Sequence, residues 1–248
     1  MRPWAILFPL ILLVPVLGLA QGGPPMITDD PDTPGNRRWE INTANIATFS
    51  RRQYIDQVPY LDINYGLGDH IQLKVEGGWG MAKDLDSELD SGASSLLAGV
   101  KWRFLDEKDI GVNISMYPQF DFHCAYSSKS PALAAPGNQW WLPLEFSKHF
   151  GPYAVNPEAG YLYSTRGADA WFYGVVGAYE LRENFELLAE LHGDTLVQGG
   201  AGDLLCNIGI RYPFSAKALL IASAGRLWKP LPGAPAQYLT YFGLQFLL

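Results

Sequence analysis

Beyond residue 20 the chain has no uncharged, wholly apolar run approaching 18 residues, which excludes an ordinary transmembrane helix. Cysteine is scarce as well. Cys124 and Cys206 stand too far apart for a Cys-x-x-Cys redox or zinc motif, so two free thiols are expected. Basic side chains are outnumbered, with 17 against 25 acidic ones after residue 20 and a net charge of −8. Nucleic acid, which requires a basic stripe, is thereby excluded as a partner. No Pro/Ser linker or low-complexity tract interrupts the chain, which favours one folded domain.

What is present begins at the N-terminus. Met1-Arg2-Pro3-Trp4 precedes an apolar run from Ala5 to Leu19 and the small-residue pattern Gly18-Leu19-Ala20. This predicts a signal peptide over residues 1–20, cut after Ala20. Pro9, Pro15 and the shortness of the run argue against a retained helix, and no Cys follows the cut to accept a lipid.

After that, period-two alternation dominates. Ile71, Leu73 and Val75 oppose Gln72, Lys74 and Glu76, while Leu96, Ala98, Val100, Trp102 and Phe104 oppose Leu97, Gly99, Lys101 and Arg103. Successive side chains of a strand point to opposite faces, so these segments read as strands. A soluble sandwich would alternate in the same way. Connection lengths separate the two cases.

Strands expected near 39–50, 56–65, 69–80, 93–105, 109–123, 138–149, 153–164, 169–181, 184–194, 203–212, 216–227 and 238–248 are joined by connections of two kinds. One set is tight: 66–68, 105–108, 150–152, 182–183 and 213–215. The other is mostly longer and rich in Gly, Pro, Ser and charge: 51–55, 81–92, 124–137, 193–202 and 228–237, with only 164–168 brief. Short periplasmic turns alternating with longer outer loops are the layout of outer-membrane barrels. The predicted fold is all-β, a closed antiparallel transmembrane β-barrel over 38–248 with about 12 strands. An even count puts both termini on one side, the periplasm. Trp39, Tyr65, Trp79, Trp102, Trp140 and Tyr212 are expected in interfacial girdles. The chain ends Tyr241-Phe242-Gly243-Leu244-Gln245-Phe246-Leu247-Leu248, with Phe242, Leu244, Phe246 and Leu248 on one face. This is similar to the C-terminal assembly signal of outer-membrane barrels, in which an aromatic last residue is commoner than Leu. It implies the barrel assembly machinery and outer-membrane lipids as partners.

Gly23-Pro24-Pro25, Thr28-Asp29-Asp30-Pro31, Trp39-Glu40-Ile41-Asn42, the stretch from Leu61 to Asp69 and Gly99-Val100-Lys101-Trp102-Arg103-Phe104 carry a further likeness. Over most of the mature chain the sequence resembles a family of outer-membrane proteins named after the meta-cleavage pathway of phenol degradation. That resemblance implies outer-membrane residence and uptake of small hydrophobic or aromatic solutes.

Parity assigns Glu40, Asp62, Lys74, Glu76, Lys101, Arg103, Asp121, Glu145, Glu158, Glu180, Glu186, Glu190 and Arg211 to the lumen, since a charge facing hydrocarbon is costly. They either line a permeation path biased toward cations and neutral solutes or pair across a narrow interior and hold it shut. The segment 21–37 carries Asp29, Asp30, Asp32 and several prolines and cannot pair as a central strand. It is expected either to plug the periplasmic mouth, its acids meeting Lys101, Arg103 or Arg211, or to remain a tail. Asp84, Asp86, Glu88 and Asp90 alternate as in a calcium loop, but Leu89 and Ser95 stand where Gly and Glu are required, so no metal is expected. No cofactor is expected either. An acyl hydrolase would need His192, Glu190 or Asp194, and a serine such as Ser223 within reach of one another. A channel is the leading expectation; a sealed structural or adhesion barrel and a lipid hydrolase are the alternatives.

Overall fold

The computed structural model describes residues 23–85, 87–123, 133–135, 137–183, 185–199, 202–228 and 236–248. The expected signal peptide and Cys124 lie outside them; Cys206 is a free thiol.

Alternating stretches of β-branched and aromatic residues form β1 (Trp39–Ser50), β2 (Gln53–Leu67), β3 (Ile71–Asp84), β4 (Asp90–Leu105), β5 (Asn113–Met116), β6 (Gln119–Phe122), β7 (Gln139–Phe150), β8 (Tyr153–Ser164), β9 (Ala170–Arg182), β10 (Phe185–Leu196), β11 (Leu204–Ser215), β12 (Ala218–Trp228) and β13 (Gln237–Leu247). All pairings are antiparallel, and β13 pairs with β1, from Glu40 opposite Leu247 to Ser50 opposite Gln237. β5 and β6 together fill one position between β4 and β7, so the 13 segments make a closed barrel of twelve strand positions.

One expected strand, 109–123, is broken into α1 (Glu107–Ile110), β5 and β6. Pro118 has no amide to give the ladder, and its carbonyl instead accepts from the Val100 amide at 3.0 Å. Gly111 caps α1 at φ 83°, a left-handed conformation that glycine adopts without cost. A second correction concerns the expected loop 81–92. β3 and β4 stay paired to Ala82 opposite Asp90, so their connection is only 85–89. Asp84 and Asp90 are strand ends rather than calcium-loop positions, and Gln53 Nε2 donates to Asp84 Oδ1 at 2.8 Å.

The turns after β2, β7, β9 and β11, and α1 after β4, lie at the end of the barrel that holds Trp39 and Leu248, which exchange backbone hydrogen bonds of 2.8 and 2.9 Å. The longer connections lie at the other end, where the expected loop 51–55 is shortened to the turn 51–52 because β2 already pairs from Tyr54 opposite Phe49. From one of them Leu133 and Ala134 are buried, and the Leu133 side chain packs over Gly80. The outer face is apolar, with Val75, Val100, Leu142, Leu187 and Ile208 all exposed. Trp39, Trp79, Trp102, Trp140 and Tyr212 are exposed as expected of girdles, and the Trp39 and Tyr65 rings lie 4.6 Å apart.

Candidate functional site

Residues 23–38 contribute no strand, and the four prolines among them lack amide donors. The backbone polar groups of such a stretch must find partners outside a ladder. They find them inside the barrel. At the terminal mouth Thr33 Oγ1 donates to the Asp69 carbonyl at 3.0 Å, and Asn36 Oδ1 accepts from the Gly68 amide at 3.1 Å. Deeper in, Asp32 meets Arg103 at 3.1 Å and Asp29 meets Lys101 at 3.0 Å, while Lys101 also donates to the Asp30 carbonyl. The tip is a turn closed by Met26 N to Gly23 O at 2.9 Å and Gly23 N to Thr28 O at 3.0 Å.

Carboxylates of the barrel wall hold this turn by its amides. Glu190 Oε1 accepts from Ile27 and Thr28 at 2.9 and 2.6 Å, and Glu158 Oε2 accepts from Asp29 at 2.9 Å. The neighbouring strands β11 and β12 hold it by its carbonyls. Arg211 donates to Gly23 and Pro24 at 3.1 and 2.9 Å, and Ser223 Oγ donates to Pro25 at 2.8 Å. Arg211 therefore binds backbone oxygens and Glu186 (3.1 Å). Of the three bases named for the segment's acids, Lys101 and Arg103 meet Asp29 and Asp32. Close approach at the tip also requires Gly174, because a Cβ there would overlap the Thr28 side chain.

Other inward charges pair among themselves. Lys74 lies 2.6 Å from Glu76 and 3.8 Å from Asp62, and Lys101 lies 3.5 Å from Glu145. Asn42 donates to Glu40 at 3.2 Å and to Asp62 at 3.1 Å; Gln72 donates to Tyr117 Oη at 3.0 Å. Asp121 is buried on β6, and Glu180 faces Glu186 in register across β9 and β10. Glu76 also edges the cavity described next, and Asp121 lies toward the longer connections, opposite Gln139.

Above the tip the lining changes. A cavity of about 290 Å³ is walled by Ile46, Tyr60, Trp141, Phe172, Leu239 and Tyr241, floored by Met26 and Ile27, and edged by Glu76, Glu158 and His192. The Trp141 and Phe172 ring centroids are 5.3 Å apart, and the end of the Phe172 ring lies over Gly160, where any side chain would collide. Trp141 Nε1 is buried without a hydrogen-bond partner among the described residues. Sequence parity missed this aromatic wall. Only charged and polar residues are assigned to the lumen, although Trp141 shares the parity of Glu145 and Phe172 that of Glu180.

The histidines are not simply solvated. His192 Nδ1 lies 3.3 Å from Thr28 Oγ1, and Ser223 is spent on Pro25, so the hydrolase arrangement is not assembled. At the terminal rim His70 lies 2.9 Å from Asp106, and His149 lies 2.6 Å from Glu107. Partial burial alone would raise Glu107, but hydrogen bonds from the His149 ring and amide, with its charge, hold the carboxyl below its ordinary value. Asp106 is lowered in the same way: the His70 hydrogen bond and the charge of Arg103 outweigh desolvation. Among the described residues no cluster of three or more His, Cys, Asp or Glu side chains could hold a metal.

Neither a protein-family model nor a curated protein sequence matches the chain. Solved structures do match its fold. The COG4313 outer membrane channel from Pseudomonas putida F1 superposes with a TM-score of 0.64 at 14% identity, over 88% of this chain and 98% of that one. The KdgM porin in complex with oligogalacturonate gives 0.56 at 12%, over 84% and 98%. The CymD monoaromatic hydrocarbon channel gives 0.52 at 9%, over 86% and 88%. The fold of this chain is that of the outer-membrane β-barrel channels.

Proposed function

We propose that the chain is an outer-membrane channel for small aromatic or hydrophobic solutes, and that its N-terminal segment plugs the periplasmic mouth. The observation that carries the reading is the ring-lined cavity seated on the tip of that segment. Aromatic faces bind flat apolar molecules, and a few polar groups at the edge of such a pocket orient them. The Trp141 indole and the Glu76, Glu158 and His192 edge supply those groups. The likeness to the phenol-degradation family and to a monoaromatic hydrocarbon channel points the same way. With the short turns and both termini in the periplasm, the longer connections face outward, and solute enters the cavity from the loop side. The proposal includes a cleaved signal peptide over 1–20, passage through the barrel assembly machinery, and no enzymatic activity.

Liposomes carrying the refolded mature chain should admit small phenols, and a chain lacking residues 21–36 should admit them faster and conduct ions in planar bilayers. The barrel should persist without the segment, because pairing starts only at Trp39. A truncated barrel that stays as tight as the full-length one would leave the sealed structural barrel as the better account.

A further inference from the structure

The outer wall bears a concave region over β9 to β13. Register places Val175, Leu191, Cys206, Arg226 and Tyr238 in one row across β9 to β13, and Gly177, Ala189, Ile208 and Ala224 in the row below. Small floor residues (Gly177, Ala189, Cys206 and Ala224) between larger flanks leave a groove of about 730 Å³, more than twice the 290 Å³ cavity in the lumen. It climbs from mid-wall to the end with the longer connections and finishes at Arg226.

The upper row continues beyond the groove. Tyr238 pairs with Phe49, Phe49 with Tyr54 and Tyr54 with Lys83. The Phe49 and Tyr238 rings are 5.6 Å apart, and Arg226 lies over Trp228 at 5.3 Å. Arg51 and Arg52 sit in the turn just above Phe49 and Tyr54. Arg51, Arg52, Lys83 and Arg226 are all exposed, and none forms an ion pair among the described residues. On an outer face otherwise apolar, four cations gathered at a girdle of rings match an anionic headgroup, and the groove below matches acyl chains.

We propose that this face binds a phosphate-bearing lipid of the outer leaflet, its acyl chain in the groove and its phosphates on Arg226, Arg51 and Arg52. The outer-leaflet source rests on the longer connections facing outward, as proposed above.

Native mass spectrometry of the refolded mature chain tests it, with lipid A, dephosphorylated lipid A and phosphatidylethanolamine as probes. Lipid A should outlast the other two on the wild-type barrel. Replacing Arg226, Arg51 and Arg52 together by Ala should weaken retention roughly fivefold per arginine removed. Ala224→Trp, which fills the floor and leaves the charges, should also release the lipid, and heat-modifiable migration in gels verifies that both variants are folded. Retention indifferent to phosphate, or unchanged in both variants, overturns the site, as does a lipid-free dimer formed through this face. Labelling of intact cells separates the two readings. Lost lipid binding with residues 85–89 labelled from outside refutes the groove alone, whereas labelling at 106–107 instead refutes the orientation and with it the outer-leaflet source.

Discussion

From the terminal mouth to mid-depth, the inner wall carries Lys101, Arg103, Arg211, Glu158 and Glu190, each engaged with residues 23–32. Above that depth the same wall presents Tyr60, Trp141, Phe172 and Tyr241 to an open cavity. One half is filled by hydrogen bonds and charge pairs, the other bounded by rings with space between them. The difference lies in what each can exchange. Charges withdrawn from water need fixed partners, so the lower half is locked to one occupant, the chain's own segment. Aromatic walls ask only for a flat apolar shape, so the upper half can accept and release a guest.

The largest expected effect breaks the lower half by charge. Lys101→Met leaves Asp29 and Glu145 without their buried cation, a loss of about 3–5 kcal/mol where the site stays dry. The segment should let go, so protease cleavage within 23–38 and bilayer conductance should rise together; a variant as protected and as tight as wild type refutes the electrostatic lock. Gly174→Val tests the same seat by shape alone, because its Cβ overlaps Thr28. Its conductance should rise to a similar extent at every salt concentration. Neutralising Asp29, Asp30 and Asp32 should give a smaller gain, dependent on salt to the extent that the contacts are exposed, since the Debye length falls from about 10 Å at 0.1 M to about 3 Å at 1 M.

Phe172→Ala addresses the upper half. Loss of one ring contact of about 1 kcal/mol should weaken phenol binding roughly fivefold while ion conductance barely changes. Titration followed by Trp fluorescence reads it, and undiminished binding would move the solute elsewhere. The smallest effect is at the rim. Glu107 and Asp106 are held below their ordinary values in the folded barrel, so their contribution to stability is complete above the unfolded carboxylate range and is lost as pH falls through the lower folded values. Thermal melts should therefore show a modest decline on acidification below about pH 4 that His149→Ala and His70→Ala reduce. A wild-type decline unaltered in the double variant would remove the rim from the account.

The alternation in 71–76 and 96–104, the spacing of tight and long connections and the terminal Phe242-Gly243-Leu244-Gln245-Phe246 determine the barrel class by themselves, because period two and turn chemistry are local properties. The inward placement of the charges is an expectation of the same local kind, since hydrocarbon leaves a charged strand residue only one face. The break of 109–123 follows from Pro118, whose missing amide interrupts a central strand. What tertiary structure alone decided is where residues 23–32 lie and what they touch. Proline-rich backbone has no period to read, and its partners Glu158, Glu190, Arg211 and Ser223 are more than 120 residues away. The aromatic cavity was hidden for a related reason. Alternation puts Trp141 and Phe172 on the face of Glu145 and Glu180, but whether such rings fill the lumen or leave a cavity depends on the closed barrel and on where Met26 and Ile27 come to rest.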